Sequence, residues 1–326
     1  MGTGMFLANG GNMIDSAIRD PNEAPMFSNK IAFVVATKDR PEELRHMLKS
    51  LNRQTQRPDQ IFIIDGGTQS VKAVLKDFPE LNLIYKTFFP PSAAKQRNFG
   101  LREVGPDITL VGFLDDDVEL DVSAIEKLLL FWEEAPHRVA GVAMNMGNHP
   151  DLLASSLKYL PFTEWLGLYS QTKGDVLPSG FQTMIGKVKN NIYVKWLPTG
   201  AVVWRKIIFE DYQFDEWFRD YSYLEDLDFS YRVGKKYRFM VLEEAKYYHF
   251  PAGDGRGNDF RFGFKEVDNR LYLVKKYREF SLLKCYLALF VRMMMNLGLF
   301  IREQKLHYFQ RVLGNASGLM SSLFKL

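Results

Sequence analysis

Along the first half of the chain, unbroken apolar runs end abruptly in charged residues. Residues 31–36 (IAFVVA) are rich in β-branched side chains and lack a polar face, the pattern of a strand buried on both sides. The run stops at Thr37-Lys38-Asp39-Arg40, and Pro41 then opens a helix with Glu42 and Glu43 in its first turn, where a proline and acids are favoured. Leu44, Met47, Leu48 and Leu51 recur at i, i+3, i+4, i+7 and define its buried face.

This strand, loop and helix unit recurs. Residues 61–64 (IFII) predict a second buried strand, broken by Asp65-Gly66-Gly67, with a helix beginning over 71–75. A third strand is expected near 83–85, and Pro90-Pro91-Ser92 introduces a helix over AAKQRNFGL. A strand over 109–114 runs into Asp115, Asp116 and Asp117, and Ser123 with Glu126 predicts a capping box for a helix with Ile125, Leu128, Leu129 and Trp132 on one face. Strands alternating with helices predict an α/β fold with a mostly parallel sheet and right-handed crossovers. Ligands bind such sheets beyond the carboxyl ends of the strands. Residues 37–40, Asp65 and the three aspartates all directly follow strands, so they are expected along one rim.

From about Ala140 the pattern becomes irregular and aromatic. TGAVVWR (199–205) predicts a strand, Leu224, Leu227 and Tyr231 one face of a helix ending at Gly234, and residues 239–242 a strand before Tyr247-Tyr248-His249. FPAGDGRGNDFRFG (250–263) has four glycines in fourteen residues and is expected to be a mobile loop. The expected organisation is a flexible extension over 1–30, two successive halves over 31–137 and 138–262, and a helical region over 263–326.

Composition narrows the possible functions. The 326 residues are 46% hydrophobic, and a net charge of +3 without a basic motif argues against nucleic acid as a partner. A single cysteine, Cys285, excludes an internal disulfide and a cysteine-based zinc site. The N-terminus lacks the basic start and long apolar core of a signal peptide, so a cytoplasmic location is expected. Residues 281–303 are mostly apolar but gather Lys284, Arg292 and Arg302 on one side, an amphipathic helix suited to the inner face of a membrane. The same face would equally suit packing on the body of the protein or pairing two copies.

Asp115 and Asp117 flank one residue after a strand, an arrangement that can direct two carboxylates at a hard cation such as Mg²⁺ or Mn²⁺. An acidic turn that caps the next helix is the plain alternative. An EF-hand is excluded because Leu120 stands where its loop requires glycine.

IAFVVATKDRPEEL, IFIIDGG, AAKQRNFGL, VGFLDDDVEL, LPTGAVVWR and YLEDLDFSYRV occur in this order over residues 31–249. In order and spacing they resemble the family 2 glycosyltransferases. The resemblance implies a GT-A fold, a Rossmann-like mostly parallel sheet flanked by helices, with a C-terminal helical extension. It also implies inverting transfer of a sugar from a UDP- or dTDP-linked donor to the hydroxyl of a saccharide or lipid-linked saccharide, in bacterial cell-surface polysaccharide or glycolipid synthesis. The cofactor implied is Mn²⁺ or Mg²⁺. Thr37, Asp39 and Arg40 would line the nucleotide pocket, Asp65 would accept a hydrogen bond from a pyrimidine, and Lys95 and Arg97 would lie near the diphosphate. Asp115 would contact ribose or sugar with Asp116 beside it, and Asp117 would bind the metal, with His249 at the metal or diphosphate. Asp226, paired with Glu225, resembles the general base, and Arg256 would add positive potential. Lys38-Asp39-Arg40 departs from the Asn-Arg of many relatives, and residues 144–195 match no acceptor-facing pattern. A non-catalytic binding protein of the same fold and a nucleotidyltransferase are the alternatives; the latter would carry a glycine-rich loop where this chain has TKDRPEEL.

Overall fold

The computed structural model describes residues 27–149, 163–164, 167–251 and 258–324. Residues 252–257 of the glycine-rich loop, Arg256 among them, and residues 1–26 of the N-terminal extension lie outside the described residues. In chain order the regular elements are β1 (Ile31–Thr37), α1 (Pro41–Asn52), β2 (Gln60–Asp65), β3 (Leu83–Thr87), α2 (Ala93–Glu103), β4 (Leu110–Asp115), β5 (Val118–Leu120) and α3 (Ala124–Glu134). They continue with β6 (Val139–Met146), β7 (Ile192–Val194), β8 (Ala201–Arg205), α4 (Glu225–Gly234), β9 (Arg238–His249), α5 (Asp259–Lys276), α6 (Leu282–Glu303) and α7 (Leu306–Leu323).

All nine strands join one sheet, ordered β3-β2-β1-β4-β8-β6-β9-β5, with β7 paired to β9. Strands β3, β2, β1 and β4 are parallel, as the repeated units predict. Beyond β4 the sheet is mixed: β8 is antiparallel to both β4 and β6, whereas β6 and β9 run parallel. Alternation along β1 feeds two cores. Ile31, Phe33 and Val35 join the apolar face of α1, while Ala32 and Val34 pack in the layer that holds Ala94, Phe113, Trp204 and Phe229.

Strand register positions the rim. Thr37 pairs with Asp65 and Ala36 with Asp115, so β1, β2 and β4 end together. The strand order reverses at β1, which places these ends at the switch point where open α/β sheets bind ligands.

Four local expectations differ from the structure. Residues 259–263, expected in the mobile glycine-rich loop, open helix α5, whose N-cap Asn258 accepts from Arg261 N. Residues 72–77 form a 3-10 turn instead of an α-helix. The capping box is absent: Ser123 Oγ donates to Asp121 and Glu126 accepts from Thr55, so both side chains are engaged elsewhere. Strand β9 extends to His249, well past the predicted 239–242. Its continuation contains Glu243, Glu244 and Lys246, which break the apolar pattern where β6 and β9 shift register. Buried Asn145 bridges that irregularity, donating to the Val188 and Glu243 carbonyls and accepting from Val188 N.

At the C-terminal end, α5 and α7 meet at backbone distance. A Cβ on Gly314 would lie 2.1 Å from the Phe260 carbonyl oxygen, and one on Gly263 would lie 2.4 Å from that of Arg311.

Candidate active site

Each of the three consecutive carboxylates has its own positively charged or proton-donating partner. Asp116 turns inward and is 4% exposed; it accepts from Thr37 Oγ1 at 2.8 Å and from Arg40 Nη1 at 3.0 Å. Burial pushes its carboxyl up to about 6, against the opposing pull of Arg40 and Thr37. Asp115 faces Arg97, whose Nη2 donates to it at 3.1 Å. Asp117 lies 3.1 Å from His249 Nε2 and 3.7 Å from Arg40 Nη1. His249 reaches this position because β5 and β9 pair Val118 with His249.

Asp39 and Asp65 shape one wall of the cleft from opposite sides. Asp65, 3% exposed, accepts from Gly67 N, Val71 N and Tyr85 Oη, so a contact to a nucleobase would be its fourth. Asp39 has φ of +54° and accepts from Gln69 N at 2.7 Å and Thr68 Oγ1 at 3.2 Å. The Gln69 N–H leads in holding its carboxyl below the usual range.

Helix α2 contributes a residue that the sequence reading missed. Buried Gln96 donates to the carbonyls of Thr37 and Ile64 and accepts from Ser92 N, tying the ends of β1 and β2 to the helix start. Its position inside AAKQRNFGL was the available signal. Arg97, expected at the diphosphate, is 5% exposed and spans two acids: Nη1 donates to Glu225 Oε1 at 2.5 Å while Nη2 holds Asp115. Lys95 is half-buried and forms no ion pair among the described residues.

The segment before α4 is conformationally costly. Asp220, Ser222 and Leu224 all have positive φ, with Leu224 at +79° as the helix N-cap. That turn seats Glu225 against Arg97 and leaves Asp226 half-buried, its Oδ1 accepting from Leu227 N at 2.7 Å. Burial raises both carboxyls, with Arg97 opposing the shift. Asp228 is fully committed elsewhere, accepting from Tyr277 Oη, Lys276 Nζ and Arg232 Nε. Helix α5 secures the same turn: Asn269 Nδ2 donates to the Tyr223 carbonyl at 2.6 Å, and Arg270, 1% exposed, donates to Tyr223 Oη, the Gly180 carbonyl and Gln182 Oε1.

The donor set at Asp117 and His249 fits a small octahedral cation. Ligands about 2.1 Å from Mg²⁺ or a similar ion sit about 3 Å apart along an octahedral edge, and the two side-chain atoms are 3.1 Å apart. No group of three His, Cys, Asp or Glu capable of holding a metal occurs among the described residues. Remaining positions would therefore fall to phosphate oxygens and water, the usual arrangement for Mg²⁺.

Residues 32–186 match the model of Glycosyl transferase family 2. The chain is 26% identical over 245 residues to the uncharacterized glycosyltransferase YwdF of Bacillus subtilis (strain 168), covering 74% of this chain and 82% of that protein. Among solved structures, S. aureus TarS superposes with a TM-score of 0.50 at 16% identity, over 75% of this chain and 39% of TarS. TarS 1-349 in complex with UDP-GlcNAc gives 0.51 at 16% identity, over 75% of this chain and 66% of that one. GalNAc-T7 with UDP, GalNAc and Mn²⁺ gives 0.53 at 12% identity, over 70% and 45%. The sheet and its rim define a GT-A fold. Over residues 32–186, just under half of its length, the chain is similar to the family 2 glycosyltransferases.

Because Arg97 is buried and pairs with the buried carboxylate of Glu225, Arg97→Met is expected to destabilise the protein by about 3 kcal/mol in urea unfolding. Adding Glu225→Gln should recover part of that loss; an unchanged midpoint in Arg97→Met would show that the bridge carries no stability.

Proposed function

We propose that the protein is an inverting glycosyltransferase that moves a hexosyl group from a UDP- or dTDP-linked sugar to an acceptor hydroxyl, with Asp226 as general base. The observation that carries this reading is the half-buried Asp226 next to the Asp115–Arg97–Glu225 bridge at the switch point. Two structures of the same fold, TarS 1-349 and GalNAc-T7, were solved with UDP-GlcNAc and with UDP, GalNAc and Mn²⁺. A nucleotidyltransferase is disfavoured because the loop after β1 carries no glycine.

Asp226 accepts the proton of the acceptor hydroxyl as that oxygen attacks the anomeric carbon, and the bond from that carbon to the diphosphate oxygen breaks. Glu225 stays paired with Arg97 and positions its neighbour. Lys95 offers a free cation to the diphosphate, and Thr37, Asp39, Arg40 and Asp65 shape the nucleotide pocket. Mn²⁺ or Mg²⁺ held by Asp117 and His249 would neutralise charge building on the leaving diphosphate. The site's acceptor is a saccharide or lipid-linked saccharide of a bacterial cell surface.

The C-terminal helices supply the membrane contact. Helix α6 is long and apolar enough by length and composition to cross a membrane, yet it buries only Cys285, Ala288, Leu289 and Asn296. Packing on the enzyme body therefore uses a narrow stripe. Leu283, Leu287, Phe290, Met294 and Ile301 remain exposed, with Leu306, Leu313 and Met320 of α7. Arg292, expected to face headgroups, instead pairs with buried Glu266 at 3.2 Å. Arg302 and Lys305, both well exposed and both paired with Glu303, leave a net positive charge at the end of the apolar face that suits anionic headgroups.

Asp226→Asn should retain nucleotide binding and lose transfer by roughly 10²-fold or more. The wild-type kcat/KM should fall on the acid side with a midpoint above that of a free aspartate, because burial raises the base and protonation removes it. Near-normal turnover in the variant would move the base elsewhere.

Calorimetry with UDP should show Mn²⁺-dependent affinity that Asp117→Ala abolishes while the fold survives. Equal affinity with and without the ion would overturn the metal assignment.

Full-length protein should float with anionic vesicles at low salt, weaken in high salt, and lose binding in Leu283→Glu/Phe290→Glu. A protein that stays with the soluble fraction, or that sediments as a dimer dissociated by the same double variant, would overturn the membrane contact.

A further inference from the structure

Outside the carboxylate cleft, a cavity of about 490 Å³ opens between residues 217–220 and the first half of α5. Its walls combine aromatic surface with guanidinium groups. Trp217 lies flat on Tyr272, ring centroids 3.7 Å apart and planes 5° from parallel, so its indole is held in place while 36% of the residue stays exposed. Phe260 is 41% exposed. Lys265 is already neutralised, donating to Asp220 at 3.0 Å and to the Arg219 carbonyl at 3.2 Å. Arg219 and Arg261 are exposed on the rim, and neither forms an ion pair among the described residues.

Two hydrogen bonds tie the lining of the cavity to elements of the carboxylate cleft. The Asp220 carbonyl accepts from Ala93 N in the first turn of α2, the helix that carries Lys95 and Arg97. Asn269 lines the cavity and donates to the Tyr223 carbonyl, three residues before Asp226. A molecule seated there lies alongside the turn that presents the base.

We propose that this cavity is the acceptor subsite and that its acceptor is an anionic saccharide, bearing carboxylate or phosphate groups. The proposal rests on the transferase reading above. A rigid aromatic face suits the apolar side of a sugar ring, and a few polar groups in an aromatic-lined pocket fix orientation. Free guanidinium groups select planar carboxylates and phosphates through paired, charge-assisted hydrogen bonds. A neutral glycan would make no use of Arg219 and Arg261. Asp268 also lines the cavity, so the lining carries three cations against two carboxylates; with Lys265 closed on Asp220, Arg219 and Arg261 are the cations with no ion pair among the described residues and supply the discriminating charge.

The test is calorimetric titration of the full-length protein, with UDP and Mn²⁺ present, using three probes of similar length: trigalacturonate, a glycerol phosphate trimer and neutral maltotriose. At least one acidic probe should bind about tenfold or more tightly than maltotriose, and the preferred arm identifies carboxylate or phosphate. Arg219→Ser/Arg261→Ser, both at exposed positions, should erase that preference while UDP affinity stays unchanged. Asp226→Asn should keep it, since that carboxylate serves the chemistry. Acidic probes that bind no better than maltotriose, or a preference that survives in the double variant, would overturn the subsite. Loss of UDP binding and donor turnover in the wild-type protein would instead strike the transferase reading, leaving the probe comparison to be scored by itself.

Discussion

A single buried guanidinium governs the arrangement of the cleft. Arg97 reaches from the first turns of α2 to Asp115 at the end of β4 and to Glu225 at the start of α4. Burying the Arg97 cation and the Glu225 acid is costly unless each finds a partner, and with half-exposed Asp115 as the second acid the three elements are constrained to meet in one geometry. The side chain thus joins the parallel part of the sheet to the helix that carries Asp226. Arg40 performs a parallel task at the other end of the carboxylate run, where it balances Asp116 and stands near Asp117. Repulsion among three adjacent acids is resolved by distributing their partners over three directions.

The parts legible in the sequence were those where one physical demand dominated. Continuous apolar runs marked β1, β2 and β4 because both faces are buried, and the abrupt change to polar residues marked the rim because every strand end there faces the cleft. The face of α1 could be read from Leu44, Met47, Leu48 and Leu51, each fully buried. Strand β9 was read short because Glu243, Glu244 and Lys246 obey the edge and bulge instead of the core. Ser123 and Glu126 had the right spacing for a capping box, but Asp121 and Thr55, one of them distant in sequence, bind them instead. Long-range partners of this kind leave no local trace.

The site followed the same logic. The family resemblance nominated Asp115, Asp117, Asp226 and His249, and the fold brings Asp117 beside His249; the pairing of Arg97 with Glu225, 128 positions apart, required the fold. Asp65 and Asp39 looked like ligand contacts and are also braces for the loop between β2 and residue 71. The commitments of Asp228 were equally hidden, since Lys276 and Tyr277 belong to a helix beyond every recognisable motif.

The contact between α5 and α7 has a mechanical consequence. Where Gly263 and Gly314 bring main chain against main chain, there is no side chain to change rotamer and absorb a displacement. The two helices behave as one stiff lever, with the open apolar face of α7 at one end and Asn269 and Arg270 gripping Tyr223 at the other. A load applied to that outer face is carried to the turn before Asp226, instead of being dissipated between the helices.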